Sequence, residues 1–404
     1  MKLVLLILAA AFVSQAQDSC NYKNIREYKK KLLSSNPVLE QVKLQKELTN
    51  SFIERAKQRP NPAVEFEYTK GDDFGLDVQN YDLKLLHVIE LGDKREARIE
   101  SSLARADLES KQYGLFGARK ALENLVNYQR VAQLKVLIEA MEEAVDAFRS
   151  IVKKLASRKR LNPEEKVSLS TLKLALNDYK ARLNDLKNEK DLLAGEVAFM
   201  SECEKPNFRY ISTNYPKIGA FELSEAQGMA AIEKEKVEVA KKELNREKSL
   251  AYSDLLVGPI VGYESRGADQ FVSAGIGVTF NAPFLNTNEG GKLEASRNLM
   301  AQRKVARNNI SLLKIKLRKL LKIYHQSLKT YQEMPSLSQI TTFHTEAESL
   351  FRRGVVSIPM TIESHRQYVD YMDSRFETEN DILKAIKEIY LITGKESLID
   401  ELFN

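Results

Sequence analysis

Val272-Ser273-Ala274-Gly275-Ile276-Gly277-Val278-Thr279-Phe280 alternates residue by residue between two chemistries. Val272, Ala274, Ile276, Val278 and Phe280 are apolar; Ser273, Gly275, Gly277 and Thr279 are small or polar. Successive side chains of a strand point to opposite faces, so this stretch predicts a strand with one apolar face and one small, polar face. Its length is close to the ~9–11 residues that a tilted strand needs to cross a bilayer. Ile260 to Glu264 precedes it as the pairing strand, placing a β-hairpin at 257-283. A second hairpin, 63-90, has the same character: Val64, Phe66 and Tyr68 alternate with Glu65, Glu67 and Thr69. A Gly71-Asp72-Asp73 turn leads from there to Tyr81, Leu83 and Leu85, set against Asp82 and Lys84. Tyr68, Tyr81, Tyr263 and Phe271 fall near the ends of the runs, where an aromatic girdle would sit. The same pattern also fits two soluble amphipathic hairpins packed on helices.

The rest of the chain reads as helix. Its 404 residues include only 17 Gly, 10 Pro and no Trp, while 43% are hydrophobic and 29% charged. That balance disfavours an all-β sandwich or a loop-built enzyme and favours long solvated helices around a sizeable core. The formal charge is 62 minus 56, or +6, with opposite signs interleaved instead of gathered in a basic arm, so no nucleic-acid partner is expected. Leu134, Leu137, Met141, Ala144, Phe148, Ile151 and Leu155 advance by alternating threes and fours, the seam of a coiled coil. Ala306, Ile310, Leu313, Leu317, Leu320, Tyr324, Leu328 and Tyr331 repeat that spacing. A helix continuous from Glu96 to Lys159 would be roughly 95 Å long at ~1.5 Å per residue, more than a compact globule contains. The second copy should kink or restart at Met334-Pro335, because proline removes a donor and clashes with the preceding turn. Leu161-Asn162-Pro163-Glu164 and Gly354 to Pro359 read as reversals that lead into returning helices.

These segments repeat. Arg98 to Lys292 and Arg160 to Gly354 are both offset by 194 positions, as 292 minus 98 and 354 minus 160 show, which argues for duplication of one unit. The first repeat is 17-205, with a long helical hairpin at 96-199; a linker at 206-220 follows, and the second repeat is 221-404, with its helical hairpin at 292-393. The equal offsets predict long helices of equal length in the two copies.

Residues 1-16 read as a signal peptide: Lys2, an apolar run from Leu3 to Val13, and small residues around the cleavage position after Ala16. Removing Lys2 leaves 61 minus 56, or +5, for the exported chain. Export permits a disulfide between Cys20 and Cys203. A lipidated Cys20 is the competing reading, although Gln17-Asp18-Ser19 does not suit a lipobox. No other apolar stretch approaches the ~20 residues of a spanning helix, so integration into a membrane must use strands.

Four strands cannot close on themselves, and an open edge in lipid leaves unpaired backbone groups at several kcal/mol each. They must be shared among chains. Barrels begin at about eight strands, and three chains would supply twelve around an aqueous lumen, although the arithmetic does not choose three over two. The same symmetry would pack the helical hairpins into a hollow cylinder. The alternative is a soluble periplasmic coiled-coil protein, structural or adaptor-like, whose hairpins never enter lipid.

Short motifs in matching order across both halves now add to this reading: Asn36-Pro37, Pro60-Asn61-Pro62, Glu90-Leu91-Gly92-Asp93-Lys94-Arg95-Glu96-Ala97-Arg98, and Ala282-Pro283-Phe284-Leu285-Asn286 with Glu289-Gly290-Gly291. With them the chain resembles the TolC-like outer-membrane efflux proteins, and the Leu-Gly-Asp-Lys-Arg stretch is most similar to their heavy-metal efflux branch. The resemblance implies a mainly α fold with long antiparallel coiled-coil hairpins forming a periplasmic tunnel. It also implies four β-strands per chain in a trimeric twelve-stranded barrel in the outer membrane of a Gram-negative-type bacterium. Its implied partners are two further copies, a periplasmic adaptor, an inner-membrane pump and outer-membrane lipid. Hairpin tips of the family meet the adaptor through an Arg, Gly, aliphatic, Ser pattern, which Arg353-Gly354-Val355-Val356-Ser357 fits. Arg160, Leu161 and Asn162 at the first tip lack its glycine. Arg353 equally suits a base at a helix C-terminus, and Gly354 a helix cap. Acidic residues six and nine positions beyond the tip glycine narrow closed tunnels in the family; here these are Met360 and Glu363, so only Glu363 is a candidate constriction. Asp370 and Asp373 lie further along the same helix.

No enzyme, cofactor or metal site is expected. His87, His325, His344 and His365 are scattered, and Glu363-x-His365 does not put a metal pair on one helical face. Gly275-Ile276-Gly277 lacks a third glycine and sits inside a strand pattern. The expected activity is passive conduction.

Overall fold

A computed structural model of the chain describes residues 25–34, 36–203, 206–211, 213, 215–219, 223–224 and 226–395. The signal peptide, Cys20 and part of the inter-repeat linker lie outside the described residues. In chain order the elements are α1 (Ile25–Ser34), α2 (Pro37–Lys57), β1 (Ala63–Asp73), β2 (Leu76–Ile89), α3 (Lys94–Ala156), α4 (Pro163–Ser201) and α5 (Gly228–Ser249). They continue with β3 (Leu255–Arg266), β4 (Asp269–Phe280), α6 (Glu289–Glu333), α7 (Leu337–Arg352) and α8 (Ile358–Thr393). The described residues fall into two compact units, each drawing on both repeats. One takes in the described residues up to Val42, those of Gly114–Met229 and those from Leu313 onward; the other takes in Lys43–Tyr113 and Ala230–Leu312.

The second of these units holds the sheet, a four-stranded antiparallel meander in the order β1-β2-β3-β4. Its register puts Tyr68 opposite Tyr81 and Tyr81 opposite Tyr263, so three tyrosines form one row across three strands. The first reversal is not at Gly71-Asp72-Asp73. β1 continues to Asp73, and the turn is Phe74-Gly75, both at positive φ (56° and 86°), as a two-residue type I′ hairpin requires. The Asp72 carboxylate accepts the Gly75 N–H at 2.8 Å and fixes the turn. The spacing had pointed to the glycine-acid cluster, but the strand twist selects the position where φ is positive twice. The Glu90 to Arg98 motif is a junction. The Arg98 guanidinium donates to both oxygens of Glu90 (2.6 and 3.2 Å) and to the carbonyls of Ala56 and Gln58 at the end of α2. It thereby satisfies carbonyls that a helix end leaves without an intrahelical partner.

The other unit is a helical bundle. Every residue of the predicted first seam, Leu134 through Leu155, is buried, and Leu172, Leu176, Tyr179 and Leu183 of α4 pack against it. Of the second seam, Ala306 belongs to the sheet-bearing unit, and Leu317, Tyr324, Leu328 and Tyr331 are buried in the bundle. The long helices are not equal in the two copies: α3 runs 63 residues unbroken, whereas its counterpart is split into α6 of 45 and α7 of 16. Pro335 causes the split, and Ser336 restarts the helix through a reciprocal capping box with Gln339. Carbonyls left at the break are met by Arg375, whose guanidinium donates to Tyr331 O and Met334 O at 3.2 Å and lies 4.0 Å over the Tyr331 ring.

Candidate functional site

At the first tip Pro163 opens α4, and Asn162 caps it. The Asn162 Oδ1 accepts the Glu165 N–H at 2.7 Å, and Glu165 in return accepts the Asn162 N–H at 3.0 Å. Arg158 pairs with Glu165. Arg160 is exposed, whereas Leu161 is half-buried against the core, so this tip offers a base more than an aliphatic contact.

The second tip is a full Schellman reversal. Gly354 N–H donates to Phe351 O (2.9 Å) and Val355 N–H to Leu350 O (3.0 Å), with Gly354 at φ 75°. Gly354 is therefore a cap, and its geometry throws Val355 outward, 66% exposed, beside the exposed Arg353. Ser357 sits at the N-cap of α8, where its side chain makes no capping bond.

Glu363 lies on α8 beyond this tip. Arg366 donates to both of its oxygens (2.8 and 2.6 Å) and Gln367 to one (2.8 Å), which holds the Glu363 carboxyl below its ordinary range. Arg366 also reaches Asp370 (3.2 Å), and Asp370 accepts from Arg182 of α4 (3.1 Å). Two bases therefore answer two acids along this ladder, and Glu363 is not an isolated negative charge. Asp373 is half-buried nearby, its carboxyl raised chiefly by desolvation.

Two polar clusters were not legible as sites in the sequence. His344 of α7 and His365 of α8, which had read as scattered, come together with ring centroids 4.6 Å apart, while His87 and His325 stay apart from them. His344 stacks on Tyr368 at 4.1 Å, and the edge of His365 meets Phe148 at 5.4 Å. Burial and the neighbouring His344 push the His365 pKa down to about 4, so this imidazole is neutral near pH 7. The second cluster surrounds Glu379, fully buried on α8. Its carboxylate accepts from Gln133 (2.8 Å), Tyr215 (2.8 Å), Tyr210 (3.0 Å) and Gln129 (3.3 Å). Tyr210 and Tyr215 belong to the inter-repeat stretch, so this acid ties the described part of the linker to α3 and α8.

In the sheet-bearing unit, the apolar face of the sheet is open. Ile276 is 79% exposed and Phe66 67%, with Val64, Leu83, Leu85, Val261, Val272, Val278 and Phe280 also exposed on the same side. The opposite side carries Glu65, Glu67 and Lys84, whose Nζ lies 3.3 Å from Glu67, with small residues between. Gly277 is small for a packing reason: a Cβ there would come within 2.6 Å of the Ile260 side chain. Cys203 is buried after the end of α4.

Comparison by sequence finds no matching family model and no matching curated protein. Comparison by structure finds the outer-membrane channel OprN (TM-score 0.70, 12% identity, 95% of this chain and 92% of that one). It also finds the Campylobacter jejuni CmeC outer membrane channel (TM-score 0.66, 13% identity, 94% and 88%) and the outer membrane protein VceC of Vibrio cholerae (TM-score 0.64, 12% identity, 92% and 96%). At such identities the likeness speaks for the fold and singles out no branch. With its meander of four strands, its paired long helices and near-complete coverage of these channels, the chain has the fold of the TolC-like outer-membrane efflux proteins.

Proposed function

We propose that the chain is the exit duct of a tripartite efflux system, conducting substrate passively from an inner-membrane pump and a periplasmic adaptor to the outside of the cell. Three copies pool their sheets into a twelve-stranded barrel in the outer membrane, and their helical bundles form the periplasmic conduit. The observation that carries this reading is the sheet itself: an apolar face left open and, among the described residues, two edge strands, β1 and β4, without partners. A soluble monomer that leaves such a face and such edges in water invites aggregation. In a meander of four strands β4 runs antiparallel to β1, so β4 of one copy can pair with β1 of the next and a cyclic ring closes without changing the pairing type.

Lipid satisfies the apolar face, ring closure satisfies the edges, and the acidic, basic and small residues of the other face line an aqueous lumen. The helical tips are the docking elements. Arg353, Gly354, Val355 and Ser357 present an exposed base, a fixed reversal and an exposed aliphatic, and Arg160 adds a base from the first tip. Cell fractionation tests this reading. A band in the outer-membrane fraction that migrates as an oligomer unheated and as a monomer after boiling supports it; a soluble periplasmic monomer contradicts it and favours a helical scaffold.

A further inference from the structure

A ring nitrogen of His344, a ring nitrogen of His365 and a carboxylate oxygen of Glu348 all lie within 4.8 Å of one another. His344 and Glu348 sit four residues apart on one face of α7, and α8 supplies His365 across the hairpin. His344 is 6% exposed, and neither of its ring nitrogens has a hydrogen-bond partner. A buried imidazole with neither nitrogen hydrogen-bonded is costly, because its polar atoms have left water without full compensation. One of them, Nε2, faces the carboxylate of Glu143 on α3 at 3.5 Å, the arrangement by which outer carboxylates orient metal-bound histidines. Glu348 accepts from Arg352 at 2.8 Å through one oxygen, which leaves the other for a ligand, and the Arg352 side chain is largely solvent-exposed. The three residues border a cavity of about 270 Å³ that also admits water.

We propose that His344, Glu348 and His365 bind one divalent cation of the zinc class, with water in the fourth position. Two imidazoles and one carboxylate form a donor set for such borderline ions, whereas Ca²⁺ and Mg²⁺ favour oxygen ligands. Tetrahedral coordination at ~2.0–2.1 Å places ligand atoms about 3.3 Å apart, so the side chains close in by up to about 1.5 Å on binding. The ion would cross-link α7 to α8 ten residues before and eleven after Gly354, as 354 minus 344 and 365 minus 354 show, pinning the two arms of the second tip. This assignment rests on the bundle alone and does not depend on the exit-duct reading.

The test uses the full-length, tag-free chain extracted in detergent, stripped with chelator and titrated with Zn²⁺, and separately with Co²⁺ as a spectroscopic probe. One Zn²⁺ per chain and a tetrahedral Co²⁺ absorption band are expected. Glu348→Gln, which leaves the buried histidines in place, should weaken binding at least tenfold; losing an outer-shell partner already costs ~10–100-fold. His344→Ala with His365→Ala should abolish it, while His325→Ala should leave it unchanged. Stoichiometry well below one, or Glu348→Gln binding as tightly as the parent with no change in the Co²⁺ band, overturns the proposal even if the double histidine variant fails to fold.

Discussion

Glu379 accepts four hydrogen bonds, yet burial outweighs them and raises its pKa above the ordinary glutamate range. A carboxyl raised in the folded state binds its proton more tightly there than in the unfolded chain. Its contribution is complete below the unfolded pKa and is lost as pH rises through the folded one. Relative to Glu379→Gln, which cannot ionise, the parent should therefore lose melting stability with rising pH above the ordinary glutamate range, by up to ~1.4 kcal/mol per pH unit. Parallel melting curves for the two proteins across that range would contradict this. Little of this was legible in the sequence. Nothing in the seam spacing distinguishes Gln129 and Gln133, and Tyr210 and Tyr215 lie in a stretch without periodicity, so only the folded chain brings them to one acid. His344 and His365 had a weak signal: they stand almost equally far from the reversal at Gly354, which sets them at one level of a helical hairpin. The single-helix test applied to Glu363 and His365 could not detect a pair formed across two helices.

Alternation and heptad spacing located the elements well because both are direct imprints of burial. All seven residues of the first seam are buried, and the apolar set from Val64 to Phe280 lies on one open face. What the spacing missed was backbone conformation: the turn at Phe74-Gly75 depends on two positive φ values, and Phe74 is not a residue whose chemistry advertises one. Pro335 did announce its break, but not the role of Arg375, which returns from α8 to cap the freed carbonyls. The strand faces carry their own prediction. Ile276→Lys places an ammonium on the lipid side and should cost about 2–4 kcal/mol near the bilayer centre, abolishing the heat-sensitive oligomer. Thr279→Lys, on the opposite face, should assemble normally. Equal assembly of both variants would show that the apolar face does not meet lipid.

Each unit of the whole chain mixes residues from both repeats, because the long helices α3 and α6 pass from one unit to the other: both β-hairpins fall in one unit and both helical tips in the other. The duplication was visible in the equal offsets, but the division into units was not, since a cut along the sequence cannot represent a cut across parallel helices. In the proposed exit duct, the number of copies per barrel is likewise a property of closure and not of any one residue. Four strands with open edges require partners, and the curvature of the assembled ring fixes how many. The most direct test is the native mass of the detergent-extracted full-length protein carrying one cysteine on the outer edge of β1 and one on that of β4. The exit-duct account predicts a species of three times the chain mass whose oxidation links neighbouring copies into a closed, reducible trimer. A monomer or dimer in which those cysteines never cross-link between chains would contradict it.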